Sequence, residues 1–157
     1  YWQKERPQGS PTLLEKWVSL RLATRAFHPD KDHLLKDISD RDRANLPHLA
    51  LLQGLSKLQD LDASAETDFA FYLSHYQGCG YKREAWQKLS WCALLRGDER
   101  AFRSCNNKIP GDGCSGTDED RQAHEEAKMG DVPDLALLKA RLLFDGGHYA
   151  RAEHLLG

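Results

Sequence analysis

Cysteine, histidine and clustered carboxylates are the side chains through which a small protein most often binds metal or does catalysis, so their spacing comes first. The four cysteines Cys79, Cys92, Cys105 and Cys114 contain no C-x-x-C pair, which argues against a structural zinc site. Cys92 lies in the apolar run Trp91-Cys92-Ala93-Leu94-Leu95 and reads as a small core residue. Cys105 and Cys114 bracket a loop carrying Gly and Pro. In an oxidising compartment these two would pair, although cysteine number alone does not fix the redox setting. His124-Glu125 begins like a zinc-protease helix, but Lys128 stands where the second histidine belongs. Gly111-Asp112-Gly113-Cys114-Ser115-Gly116 satisfies G-x-G-x-x-G, yet no predicted strand precedes it, so it reads as a turn and not as a dinucleotide fingerprint. The acids Asp112, Asp118, Glu119 and Asp120 suit the positively polarised start of a helix and need no bound cation. No catalytic residue, metal ligand or cofactor motif emerges, and the expectation is a protein that is not an enzyme.

Charge narrows the partners. The 157 residues carry 22 basic and 24 acidic side chains, a net charge of -2, which argues against a dedicated nucleic-acid or membrane-surface protein. Basic residues do gather between Tyr81 and Lys108, seven against three acids. They would attract an acidic peptide or RNA, but a solvated helix face accounts for them. No apolar run approaches the roughly 20 residues of a bilayer span. A soluble chain is expected, with the cytoplasm and the periplasm or exterior both open. Because the chain starts at Tyr1 and ends at Gly157, a piece of a longer repeat protein is expected, with a signal peptide or further repeats outside it.

The elements that must position these side chains read as helices throughout. Residues 1–9 are polar and unperiodic, an extended lead-in. Ser10-Pro11 then starts a helix carrying Leu13, Trp17, Leu20 and Phe27, broken by His28-Pro29-Asp30. A charged surface helix or loop follows to Asn45. Pro47 opens a long helix with Leu49, Leu52, Leu55 and Leu58 on its apolar side. Gly54 in its middle implies close approach by a neighbour, since glycine there costs about 1 kcal/mol relative to alanine. A partner helix over Ala63 to Tyr76, with Phe69, Phe71, Tyr72, Leu73 and Tyr76 as core candidates, comes next; after the turn Gln77-Gly78-Cys79-Gly80 the run from Tyr81 to Phe102 follows, with a turn at Gly97-Asp98. Residues 106–130 form an insertion: turn chemistry first, then a helix capped by Thr117 whose apolar residues are only Ala123, Ala127 and Met129. That helix is expected to lie on the surface and pack weakly. Pro133 and Asp134 start the next helix, Gly146-Gly147 ends it, and a second begins near Tyr149.

The unit over residues 131–156 resembles a tetratricopeptide repeat. Ala140, Leu143, Gly147, Tyr149, Ala152 and Leu156 match the family's order of small, aromatic and large residues. Trp86, Leu89 and Ser90 match its Trp, Leu, small triplet, while Ala101 and Phe102 arrive one residue early. Over residues 46–156 the chain is similar to bacterial proteins of tetratricopeptide type without assigned function. The small residues Gly54, Ser90 and Ala140 recur at spacings of 36 and 50, as in an all-α solenoid of about four antiparallel helix pairs interrupted by the insertion. The resemblance implies a single repeat domain over residues 10–157 that acts as a protein- or peptide-binding scaffold. First helices of such pairs line the concave face, which places Glu84, Gln87, Lys88, Trp91, Leu137, Arg141 and Phe144 in the groove. The Lys and Asn set that clamps a C-terminal carboxylate in some members is absent at the matching positions. His28-Pro29-Asp30 also resembles the loop of J-domain co-chaperones and gives the alternative of an Hsp70 partner. A second alternative is a purely structural repeat domain, in which an uncovered terminal helix would drive homo-oligomerisation.

Overall fold

The computed structural model describes residues 11–25 and 31–157. The lead-in over residues 1–9 and the loop His28-Pro29-Asp30 lie outside the described residues. Within them the chain is all-α, with ten α-helices, one 3-10 turn and no strand.

The first helix, α1 (Leu13–Arg25), starts two residues later than Pro11 suggested. Thr12 and Glu15 supply the reason: each side chain accepts a hydrogen bond from the other's backbone N–H, at 3.2 and 2.6 Å. That reciprocal cap fixes the first turn. Inward, α1 buries Leu20 and Ala23 and packs on α2 (Lys31–Lys36) and α4 (His48–Gln59). The charged stretch between them is two short helices, α2 and α3 (Asp40–Asn45), with Ser39 capping the second. Lys16 of α1 reaches Asp42 of α3 at 2.7 Å and holds its carboxyl below the usual carboxylate range.

Helix α4 lies in the core. Leu49, Ala50, Leu51, Leu52 and Leu58 are all buried on it, and α5 (Ala65–His75) crosses it where Gly54 stands. A Cβ at Gly54 would lie 2.9 Å from the Phe69 ring, so the glycine permits the close approach anticipated from the sequence. Beside that contact the carboxylate of Asp68, 1% exposed, meets Arg43 at 3.1 Å and Lys57 at 2.9 Å. The ion pairs join α3, α4 and α5, and a buried charge of this kind persists only because it is paired.

Two further hairpins follow, α6 (Lys82–Leu95) with α7 (Glu99–Asn106) and α9 (Leu135–Asp145) with α10 (Tyr149–Leu156). All three hairpins turn the same corner. A residue in the left-handed conformation, Leu61, Gly97 or Gly147, sits seven positions after a small one, Gly54, Ser90 or Ala140. At each corner the next N–H reaches back five residues to a helix carbonyl, Asp62 to Lys57, Asp98 to Ala93 and His148 to Leu143, at 2.8–3.0 Å. Such six-to-one closure satisfies carbonyls the helix leaves open.

Between the second and third hairpins lie a 3-10 turn (Ile109–Gly111) and α8 (Asp118–Met129). As expected, α8 lies at the surface, but the expectation of weak packing is corrected: it packs along α6 with Asp120 and Ala123 fully buried. Ala123 is small enough to let the two backbones approach. The disulfide expectation is also corrected. Cys114 pairs with Cys79, Cα atoms 5.3 Å apart, and Cys105 stays a free, half-buried thiol on α7. The strand of chain through Cys114 is already docked at the start of α6, where its N–H donates to the Cys79 carbonyl at 3.2 Å. Helix α9 then returns to α4, with Leu138 and Leu142 in the same core cluster as Leu51, Leu58 and Trp91. No helix among the described residues is long and apolar enough to cross a membrane.

Candidate functional site

The shared corner gives a common register for the three first helices. Counting from Gly54, Ser90 and Ala140, the same three positions hold Leu51, Leu55 and Leu58 on α4, Gln87, Trp91 and Leu94 on α6, and Leu137, Arg141 and Phe144 on α9. The seven residues expected in a groove fall on or beside the α6 and α9 stripes. The structure treats the two stripes in opposite ways.

On α6 the stripe is closed. Glu84, Gln87 and Trp91 are 6%, 4% and 3% exposed, because α8 lies against them and α9 touches the indole. Gln87 donates from Nε2 to Glu126 Oε2 of α8 at 2.5 Å, and Lys88 donates to Gln87 Oε1 at 2.8 Å. The Lys88 ammonium stands 4.1 Å from the centre of the Trp91 ring and the Arg141 guanidinium of α9 stands 5.0 Å from it. Arg141 in turn pairs with Glu126 at 3.4 Å. Three helices thus meet over one indole through cation–π contacts and a shared carboxylate.

Burial shapes the protonation of this cluster. It pushes the Glu84 carboxyl up to about 7, against the pull of Lys88 and Arg21 and with the like charges of Glu119 and Asp120 adding to the rise. Lys88 is pushed down, again chiefly by burial. One further contact fixes the start of α6: Asp120 of α8 accepts from the backbone N–H of Tyr81 at 2.8 Å and of Glu84 at 3.0 Å. The cap of α6 is therefore lent by a helix that comes 36 residues later.

On α9 the stripe is open. Leu137 and Phe144 are each 61% exposed. With Ala140 and Arg141, and with Tyr149, Ala152, Glu153 and Leu156 of α10, they line a groove of about 730 Å³. Small side chains, Ala140 and Ala152, make its floor, and Phe144 meets Tyr149 edge to face at 5.0 Å. A smaller pocket of about 260 Å³ shares Leu137 and Arg141 with it and reaches Trp91, Glu126 and Pro133. Trp91, Leu137, Arg141 and Phe144 are thus brought along one line, whereas Glu84 and Gln87 lie buried under α8. That differs from the expectation of seven groove residues, and the cause is the insertion.

Sequence reasoning missed Asp120, Glu126, Tyr149 and Glu153 in this region. The first two sit on a helix judged by its few large apolar residues, although paired alanines at Ala123 and Ala127 are the mark of close helix approach. The remaining aromatic cluster is self-filled. His48 has Tyr72, Tyr76 and Tyr81 around it at 5.3, 4.8 and 6.0 Å, and burial lowers its pKa, so the imidazole occupies the cage as a neutral ring. The glycine-rich run 111–116 is a docked loop, with Arg83 donating to the Ser115 hydroxyl at 2.5 Å. Among the described residues no group of three His, Cys, Asp or Glu side chains is placed to hold a metal ion. No family model, curated protein or solved structure matches the chain.

Proposed function

We propose that this chain is a non-enzymatic protein-binding module of tetratricopeptide-like hairpins, and that its α9–α10 groove takes a helical segment of a protein partner. One observation carries the reading. The stripe that α4 and α6 bury under α9 and α8 is repeated on α9 and left exposed. In both covered cases the cover is an α-helix, so the third surface has the width and relief that a helix fills. Its apolar walls supply the attraction, and Arg141 and Glu153 on its rims select charge at the edges. A polar pocket with convergent ionisable groups, which catalysis would need, is not part of this groove.

The test is a selection of displayed amphipathic peptides on the full chain. Enriched sequences should carry apolar residues at three-and-four spacing and should lose binding to Phe144→Glu, an exposed position at which the circular dichroism of the fold should stay unchanged. Selection without enrichment, or peptides indifferent to Phe144→Glu, would remove the groove as a binding site.

A further inference from the structure

We infer that the Cys79–Cys114 disulfide is a redox latch on α8: a dithiol reductant that opens it frees this helix from α6 and leaves the rest of the fold in place. The inference is independent of whether the α9–α10 groove binds a helix. The bond joins the loop before α6 to the loop before α8, between cysteines 35 residues apart. Buried Asp120, which caps α6, follows in the first turn of α8. Cys79 is exposed and Cys114 half-buried, so a reductant reaches the bond from solvent.

Without the bond, α8 is held by modest contacts. The apolar side chain it buries completely is Ala123, and Met129 at its end is 72% exposed. Asp120 enters the interface with no cation paired to it among the described residues, and its charge and that of Glu119 press on the buried Glu84. A buried acid answered by backbone N–H groups keeps part of its desolvation cost. Two hydrogen bonds that also dock the insertion, Trp86 to Asp112 at 2.9 Å and Arg83 to the Pro110 carbonyl at 3.3 Å, hold residues before Cys114. Past Cys114 there follow the exposed bond from Arg83 to Ser115 and those from Gln87 and Arg141 to Glu126. The disulfide keeps Asp120 near its two donors at an effective concentration on the order of millimolar. When it opens, the longer tethers to α7 and α9 take over and that concentration falls. The release uncovers Gln87 and the side of Trp91 under α8, at the register of exposed Leu137 and Arg141 on α9.

The exchange is a two-electron step. One thiolate of the reductant attacks the Cys79 Sγ, the S–S bond breaks, and Cys114 leaves as a thiolate that takes a proton from water. The reductant's second thiol then displaces Cys79, which is protonated in turn, so both cysteines end reduced and the dithiol ends as a disulfide. The other two cysteines do not intercept the released sulfurs. Burial pushes the Cys92 thiol up to about 12 and raises the Cys105 thiol as well, so neither supplies much thiolate at neutral pH. Reoxidation therefore restores the original pair.

Amide hydrogen exchange of the full chain, followed residue by residue by NMR before and after treatment with dithiothreitol, tests this. The amides of α8, and the N–H groups of Tyr81 and Glu84 whose acceptor is Asp120, should exchange roughly a hundredfold faster once the bond is open. Those of α4, α5 and α7 should keep their protection. Reoxidation should restore the first pattern. The Cys79→Ser, Cys114→Ser double variant should show the reduced pattern with or without dithiothreitol. Acceleration confined to residues 78–80 and 112–116 would make the bond a local brace, and loss of protection throughout would make it a staple of the whole fold. Either result overturns the latch, as does a chain whose Cys79 and Cys114 stay unpaired in air.

Discussion

Trp91 and Arg141 stand at the same register in two hairpins that turn the same corner, and they meet opposite fates. Trp91 is covered by α8 and α9, and Arg141 forms the rim of an open groove. Composition does not separate the two stripes. Each mixes one polar residue with two that carry large apolar surface, Gln87 with Trp91 and Leu94, Arg141 with Leu137 and Phe144. What separates them is the next segment of chain. After the second hairpin comes an insertion with an acid for the α6 N-terminus, a carboxylate for Gln87 and an alanine for the crossing. Burial here belongs to the neighbour that a sequence supplies, and not to the stripe itself.

The sharpest way to break this contrast is to truncate one large side chain on each stripe. Trp91→Ala removes a buried indole and should cost about 3–5 kcal/mol in urea unfolding. Phe144→Ala, on the open stripe, should lower the unfolding free energy by no more than about 0.5 kcal/mol. Equal losses at the two sites would mean that the groove is closed in solution.

A smaller effect distinguishes the stripes by pH. The Glu84 carboxyl rises from the ordinary 4.5 to about 7 in the fold, so the native state holds a proton that the unfolded chain releases across that window. The stabilisation is complete below pH 4.5 and is lost as pH rises through about 7, a total of about 3 kcal/mol. Urea midpoints measured from pH 4.5 to 8 should fall accordingly. Glu84→Gln, which keeps the shape and cannot ionise, should flatten that part of the profile; an unchanged slope would place the titrating group elsewhere.

The smallest effects sit at the corners. Gly97 adopts φ +81° with open space around a notional Cβ, so Gly97→Ala should cost about 1 kcal/mol from backbone conformation alone. Leu61 holds the left-handed conformation with a side chain packed on the core. Leu61→Gly exchanges strain for lost packing and should change stability by less than about 1 kcal/mol. Thermal unfolding of the pair measures both.

Much of the helix pattern was legible because it is written in local chemistry. Pro47, Asp98, Asp134 and the glycines at 97 and 147 mark starts and stops whatever the tertiary context, and Gly54 announced its close contact with Phe69. The first corner carries no such mark, because Leu61 fills a place where glycine is the usual signal. The candidate site was legible only in part. Leu137, Arg141 and Phe144, named through the family resemblance, are exposed, whereas Glu84, Gln87 and Trp91 are covered by a helix whose docking depends on Asp120, Glu126 and Ala123. Those contacts span 36 residues or more, and no local pattern encodes them. The same holds for Cys79 and Cys114, 35 residues apart, whose pairing follows from where the insertion docks.

Asp120 gives the cap of α6 to a segment outside its own hairpin. Hairpins that share one corner design look interchangeable, yet the second could not be cut out, duplicated or exchanged as a unit. Without residues 117–130, two backbone N–H groups at its entrance would lose their acceptor, and Gln87 and Trp91 would face water. For engineering or for evolution by unit duplication, the smallest portable piece of this chain is the second hairpin together with its insertion.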